Sequence, residues 1–215
     1  MAFKLFMHPL SSYCHKALIG LYETELPFES VVVDLQNEAE RAALVKLWPM
    51  GKFPVLQNAD RSMTLAESTT ILEYLAEHHR SKVALIPRDP EVAREVRFRD
   101  RFMDLYVHTP VQQIVGDRLR PAGQKDPVGV ERSRATMTTA FEVLEAELSK
   151  HTWAVGEAFS MADCSAAPAI FYADKLMPLG DRYPSLRAYF DRLLARPSYA
   201  RVLREAEPYF AMFPG

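Results

Sequence analysis

The residues best suited to bind a ligand lie beside a short predicted strand. Pro54 directly precedes Val55-Leu56-Gln57. Because proline has no N–H, it belongs at the first residue of a strand or on a sheet edge, and its peptide bond is a candidate for the cis form. A bend there would leave the backbone N–H and C=O of Phe53 free to pair with an extended peptide, as an added strand does.

A second binding position is predicted at Glu67-Ser68, where an amphipathic run begins. Ser68 is placed to cap a helix whose free N–H groups and positive dipole end favour a carboxylate. Glu67 would accept a hydrogen bond from an ammonium group. Together the two segments predict a site for a short peptide with an amino-acid head; the alternative is an ordinary start of a strand and an ordinary helix cap.

The elements that position these residues follow from apolar spacing and from the breaking residues between them. They are a strand over 3–7, a helix ending near 25, a strand over 31–33, a helix over 37–47, a hairpin of 55–57 with 63–65, and a helix from 67 to about 79. This order predicts a β-α-β-α-β-β-α layer over residues 1–80. A proline-rich linker is expected over 81–90.

Residues 91–215 are predicted to be all helical. Val96, Met103 and Val107 follow one face of a long helix, and a second long helix carries apolar residues from Met137 to Leu148. Ser160 as N-cap with Asp163 at the third helical position predicts a capping box at the start of a buried helix. Shorter helices over 184–194 and 198–205 close a helical bundle.

Composition narrows the function further. The 215 residues carry 26 basic and 28 acidic side chains, so a nucleic-acid partner and an anionic membrane surface are both disfavoured. Cys14 and Cys164 are too few for a disulfide framework, and the N-terminus lacks an export signal, which predicts a cytoplasmic protein. The six histidines are scattered, so no metal is expected.

Four signatures in this order resemble the cytosolic glutathione transferase family, over essentially the whole chain. They are Ser11-Ser12-Tyr13-Cys14, Phe53-Pro54-Val55-Leu56, Glu67-Ser68 and the Ser160–Asp163 box. The resemblance is to the serine-type theta, zeta and phi classes when Lys16 is aligned with their basic residue. It implies a thioredoxin-like N-terminal domain, an all-α C-terminal domain, and a homodimer.

The resemblance also implies residue roles. Phe53, before the cis-proline Pro54, would pair its backbone with the cysteinyl unit of glutathione, while Glu67 and Ser68 would hold the γ-glutamyl head. Lys52 is the candidate for the glycyl carboxylate, with a solvated loop lysine as the alternative.

Catalysis in the resembled family consists of forming the glutathione thiolate. Ser11 lies just before the first helix, where an O–H donor and the helix dipole would favour the anion. Ser12 is the second candidate. Cys14, also named as a catalytic candidate, has the helical spacing of a packing cysteine, with a reactive thiol as the alternative.

The electrophile pocket is predicted to be lined by residues near these groups, together with the aromatic residues of the C-terminal tail. They are Leu10, Tyr13, Met103, Tyr106, Val107 and His108, with Tyr209, Phe210 and Phe213. For the residues from Met103 to His108, the alternative is a position in the core of the helical bundle. The expected function is transfer of glutathione to a small hydrophobic electrophile. The rivals are a noncatalytic glutathione or ligand-binding protein, and a thiol-disulfide oxidoreductase using Cys14.

Overall fold

The structure is a computed structural model that describes residues 3–79 and 81–214. Four residues lie outside the described part of the chain, namely 1, 2, 80 and 215. Residues 80 and 215 are the predicted last residues of the two domains, and residues 1 and 2 belong to the N-terminal segment considered above.

The N-terminal layer has the predicted order of elements. It consists of β1 (Phe3–Met7), α1 (Ser12–Glu23), β2 (Phe28–Val32), α2 (Glu38–Leu47), β3 (Val55–Asn58), β4 (Met63–Ala66) and α3 (Ser68–His78). The strand order is β2-β1-β3-β4, with β1 parallel to β2 and antiparallel to β3. β2 begins three residues earlier than predicted because Phe28 pairs with Phe3.

The core of this layer follows from alternation along β1. Phe3, Leu5 and Met7 are buried, while Lys4 and Phe6 between them are less so. α1 has buried residues all round because it packs against α3 on one side and a helix of the second half on the other. α1 therefore joins the two halves of the molecule.

The second half is helical among the described residues. Its elements are α4 (Pro90–Phe102), α5 (Thr109–Leu119), α6 (Pro127–Leu148), α7 (Met161–Leu176), α8 (Pro184–Ala195), α9 (Pro197–Ala206) and a closing 3₁₀ segment (Glu207–Met212). The residues described between α3 and α4, where the linker is predicted, form no helix or strand. None of the described helices combines the length and apolarity that crossing a bilayer would need.

A π-helical segment, Met103–His108, joins α4 to α5. The N–H of Thr109 donates to the C=O of Asp104, five residues earlier. Pro110 has no N–H, so it cannot take part in the regular i→i−4 ladder at this point. The extra residue in this turn rotates everything after it by about 100° relative to an unbroken helix.

The capping box at the start of α7 is confirmed. The N–H of Ser160 donates to the Asp163 carboxylate at 2.8 Å. The same carboxylate also accepts from the Ala154 N–H at 2.8 Å and from the Tyr189 hydroxyl at 2.7 Å. α7 is buried on nearly all sides, as its small apolar residues predict.

Candidate active site

A polar cleft of about 260 Å³ lies between the N-terminal layer and the α4–α5 helix. The structure brings the predicted residues Lys52, Phe53, Pro54, Glu67 and Ser68 together in its lining. The other lining residues are Tyr13, Trp48, Arg101, Asp104, Leu105 and Thr109.

The backbone on one side of this cleft bends where the sequence predicts. The Phe53–Pro54 peptide bond is cis. β3 begins only at Val55, so Phe53 lies outside the sheet ladder. Its backbone is thus placed at the edge where an extended peptide can add.

The other side is the N-terminus of α3, and here the predicted cap is corrected. Glu67, not Ser68, occupies the N-cap position, with φ of 69°, and Ser68 is the first helical residue. A left-handed backbone costs a non-glycine residue on the order of 1–3 kcal/mol and is concentrated at functional sites. The first intrahelical bond runs from Ile71 N–H to Glu67 C=O at 3.0 Å, so the preceding N–H groups remain available to an anion.

The charges in the polar cleft are balanced. Lys52 and Arg101 are cationic, and Glu67 and Asp104 are anionic. Arg101 Nη1 lies 3.5 Å from Asp104 Oδ2. Trp48 adds an indole N–H that is buried and has no hydrogen-bond partner within the described part of the chain. A zwitterion with two carboxylates and one ammonium group is complementary to such a lining.

Beneath the cleft, Lys16 is fully buried between acids. Its Nζ lies 2.7 Å from Asp100 Oδ1 and 3.0 Å from Asp104 Oδ2, and it donates to the Thr69 hydroxyl at 2.8 Å. Burial would raise the pKa of Asp104, but the hydrogen bond from His108 and the charge of Lys16 outweigh it and lower the pKa to about 2. This cluster ties α1, α3 and α4 together.

A second cavity of about 360 Å³, the apolar pocket, adjoins the cleft through Phe53, which lines both. Leu10, Ser11 and Ser12 line it, as predicted for the reacting end of the site. The rest of the lining is His8, Val111, Gln112, Val115, Leu119, Tyr172, Phe213 and Pro214. None of these described side chains is acidic, and none is lysine or arginine.

Ser11 and Ser12 differ in their surroundings. Ser11 is the N-cap of α1, and its oxygen accepts from the Cys14 N–H at 3.3 Å. Its hydroxyl also hydrogen-bonds with the Cys14 thiol. Ser12 is 2% exposed, and its hydroxyl has no partner among the described residues. Both lie at the helix end whose dipole favours an anion.

Cys14 has the environment of a packing residue. It is fully buried, and burial raises the pKa of its thiol to about 12, in spite of its hydrogen bonds with the Ser11 side chain and the His8 backbone. A thiol that stays protonated and inaccessible is a poor nucleophile.

Several residues predicted for the electrophile pocket lie elsewhere. Met103, Val107 and His108 are 0% exposed and pack in the helical core. Tyr106 is 47% exposed and lines a groove on the outer face of the helical half. Tyr13 lines the polar cleft, where burial raises the pKa of its phenol to about 12. Of the predicted set, Leu10 and the C-terminal aromatic residue Phe213 line the apolar pocket.

The π segment shapes one wall of the polar cleft. Arg101, Asp104 and Leu105 share one helix face, and the slip of one residue brings Thr109 onto that face. The sequence leaves three roles open for the arginines of this helix, namely a solvated face, an interface that pairs with acids, or a wall of the substrate cleft, and Arg101 lines the cleft. The spacing 101, 104, 105 together with Pro110 was the signal that would have identified this wall.

Two family models match the chain. "Glutathione S-transferase, N-terminal domain" matches residues 10–78, and "Glutathione S-transferase, C-terminal domain" matches residues 127–192. The chain is 28% identical over 211 residues to glutathione S-transferase F13 of Arabidopsis thaliana, covering 94% of this chain and 95% of that protein. It is 25% identical over 194 residues to GstB of Escherichia coli K12, covering 90% and 93%.

Two solved structures are similar to this chain over most of its length. A glutathione S-transferase from Methylobacillus flagellatus with GSH bound is 26% identical, with a TM-score of 0.86 over 93% of this chain and 98% of that one. A second, from Methylobacterium radiotolerans in complex with glutathione sulfonate, is 27% identical, with a TM-score of 0.83 over 93% of each chain. Within the described residues, no three His, Cys, Asp or Glu side chains are grouped as a metal site.

Proposed function

Because this chain belongs to the cytosolic glutathione S-transferase family, we propose that it joins the thiolate of glutathione to a small hydrophobic electrophile at the junction of the polar cleft and the apolar pocket. The observation that carries the proposal is the shared wall at Phe53. A charged cleft that could hold a peptide opens beside an apolar pocket, and Ser11 lines that pocket at the N-terminus of α1.

In this proposal each part of glutathione has a partner in the cleft. The γ-glutamyl ammonium group donates to Glu67, and its carboxylate accepts from the N-terminus of α3 at Ser68. The cysteinyl backbone pairs with Phe53, next to Pro54. The glycyl carboxylate lies at Lys52, with the free indole N–H of Trp48 as a second donor.

The chemical step needs a thiolate at neutral pH. A free thiol has a pKa of roughly 8.5, and lowering it by about two units takes roughly 2.7 kcal/mol of preferential stabilisation of the anion. The Ser11 O–H and the positive end of α1 supply it. The thiol proton passes to solvent, the sulfur forms a bond to the electrophilic carbon, and the leaving group departs with the electron pair of its bond.

The test is glutathione-dependent conjugation of a model alkyl halide such as benzyl chloride, measured beside a direct titration of glutathione binding. The proposal expects saturable turnover and binding. Binding without turnover above the uncatalysed rate would favour the noncatalytic ligand-binding rival instead.

Homodimer formation is also proposed. An outer groove of about 470 Å³ on α4, the π segment and α6 is lined by apolar side chains, and Phe98, Tyr106 and Val143 on it are 39–49% exposed. A face of this kind is typical of an interface. Sedimentation analysis of the parent and a Phe98→Glu variant tests it, with a monomer expected for the variant only.

A cytoplasmic location remains part of the proposal, and the two free, buried cysteines are consistent with it.

A further inference from the structure

His8 is a polar group of the apolar pocket that the proposed reaction has not yet used. It lies in the loop between β1 and α1, and its backbone C=O accepts from the Ser11 N–H at 2.9 Å. Its ring stacks on Phe53 with centroids 6.0 Å apart and planes 20° apart. The ring of Tyr209 meets it edge-on at 5.7 Å. Two aromatic neighbours thus fix the direction of the imidazole.

The proton of His8 is placed by a backbone hydrogen bond. The N–H of Leu10 donates to Nδ1 at 3.2 Å, so Nδ1 is an acceptor and a neutral ring carries its proton on Nε2. Burial lowers the pKa of His8 below its ordinary value, opposed by the charge of Asp34. Within the described chain Nε2 has no hydrogen-bond partner, so its N–H is free to donate.

Other donors around the apolar pocket are engaged, buried or exposed. The Ser12 hydroxyl has no partner among the described residues, but Ser12 is only 2% exposed. The Tyr172 hydroxyl donates to the Leu10 C=O at 2.7 Å. Gln112 is exposed, and the proposed reaction commits the Ser11 hydroxyl to the sulfur. Since no lysine or arginine lines the pocket among the described residues, His8 is the donor best fixed to meet an oxygen of the electrophile.

We propose that His8 is a catalytic residue for electrophiles in which an oxygen gains charge as the sulfur adds, specifically α,β-unsaturated carbonyl compounds. This inference rests on the proposed function and names its substrate class. The thiolate forms a C–S bond to the β-carbon, and the π pair of the C=C bond moves so that the carbonyl oxygen becomes an enolate oxygen. The Nε2–H of His8 donates to that oxygen, and the α-carbon then takes a proton from water; no group leaves.

The test compares two electrophiles in His8→Phe, which keeps an aromatic ring but removes the N–H. A phenyl-substituted enone develops an oxyanion, whereas benzyl chloride transfers charge to chloride. We expect kcat for the enone to fall about 10-fold to 100-fold and the rate with benzyl chloride to stay within about threefold, because a removed oxyanion donor acts on the transition state. His8→Gln, which restores an N–H donor, should recover part of the enone rate.

His151→Phe is the matched control, because His151 is exposed and lines neither cavity, and it should leave both rates within about threefold, since surface substitutions act weakly. An unchanged enone rate in His8→Phe, or an equal loss with both electrophiles, would overturn the role of His8 while the proposed transferase function stands. If the parent protein binds no glutathione and turns over neither electrophile, the proposed function fails, and the inference fails with it.

Discussion

The polar cleft and the apolar pocket share the ring of Phe53 but differ in charge. The cleft has Lys52 and Arg101 against Glu67 and Asp104, whereas no lysine, arginine or acid lines the pocket among the described residues. The first suits a zwitterionic tripeptide and the second an uncharged electrophile. The described polar side chains of the pocket are Ser11, Ser12, His8, Gln112 and Tyr172, all uncharged or neutral in the proposed reaction. Under the proposed function, the charged contacts to glutathione therefore lie away from the reacting centre.

The interactions that hold the polar cleft and the apolar pocket in place differ as well. The cleft lies over the buried Lys16 cluster, in which every acid has a fixed partner. The pocket is closed partly by the C-terminal segment, where Phe213 packs on Tyr172 at 5.3 Å and the Pro214 C=O accepts from Arg118 at 2.8 Å. One region depends on electrostatic pairing and the other on packing.

The largest expected effect removes the charge beneath the cleft. Lys16→Met leaves Asp100 buried without a cationic partner and Asp104 with only Arg101 and His108, and breaking a buried pair in this way lowers the free energy of unfolding by about 3–5 kcal/mol. Chemical denaturation measures it. Lys4→Met is the matched control, because Lys4 and Glu29 are both about half exposed and such pairs contribute less than about 1 kcal/mol.

The same cluster offers a rescue. Adding Asp100→Asn and Asp104→Asn to Lys16→Met removes the uncompensated charges and should restore a large part of the lost stability. If Lys16→Met and Lys4→Met lowered the free energy of unfolding by the same small amount, the structure beneath the cleft would not depend on the ion pairs of Lys16.

A second effect concerns Glu67. Glu67→Gln removes the charge that faces the ammonium group of glutathione and should weaken binding about 10-fold to 100-fold, as hydrogen bonds to charged groups contribute about 1.5–3 kcal/mol. Calorimetry with glutathione and with an analogue lacking the α-amino group measures it. The analogue should bind parent and variant alike, and a variant penalty that persists with the analogue would place Glu67 elsewhere.

Glu73→Gln is the control for that change, since Glu73 lies on the same helix but pairs with Arg97 at 2.7 Å. Its glutathione affinity should equal that of the parent.

A smaller effect is expected at Lys52. Lys52→Met should raise the KM for glutathione about threefold to fivefold, because an exposed charge pair contributes little and is screened by salt. The increase should shrink at high ionic strength. Lys46→Met, on α2, serves as control, and identical salt dependence in the two variants would return Lys52 to a solvated role.

The smallest effect is expected at Cys14. Because its thiol is buried and its pKa is raised to about 12, Cys14→Ala should leave conjugation within about twofold of the parent rate. Assays of conjugation and of glutathione-dependent disulfide reduction separate the rivals. Disulfide reduction by the parent that disappears in Cys14→Ala would support the oxidoreductase.

The glutathione side of the site could be predicted from sequence because its parts are local. A proline before a strand and an acid-serine pair before a helix each fix a backbone geometry within a few residues, and the structure brings Phe53 and Glu67 together in one cleft. The capping box at Ser160 could be predicted for the same reason, because its residues are close together in sequence.

The electrophile side could not be predicted in this way because it depends on the rotation of one helix against another. The apolar spacing puts Met103 and Val107 on the same face as Val96, but spacing alone does not separate a core face from a pocket wall, and these residues lie in the core with His108. Phe213 was among the predicted aromatic residues of the C-terminal tail, whereas Tyr172 reaches the pocket from α7 and no local pattern marks that contact.

The most direct test of the account is a pH titration of the thiol of bound glutathione, followed through the ultraviolet absorbance of the thiolate. The account predicts a pKa about two units below the roughly 8.5 of a free thiol in the parent protein and in Ser12→Ala. In Ser11→Ala the pKa should return by about one unit or more toward the free value while glutathione still binds. A bound thiol that titrates at its free value in the parent, or at the same low value in Ser11→Ala, would contradict it.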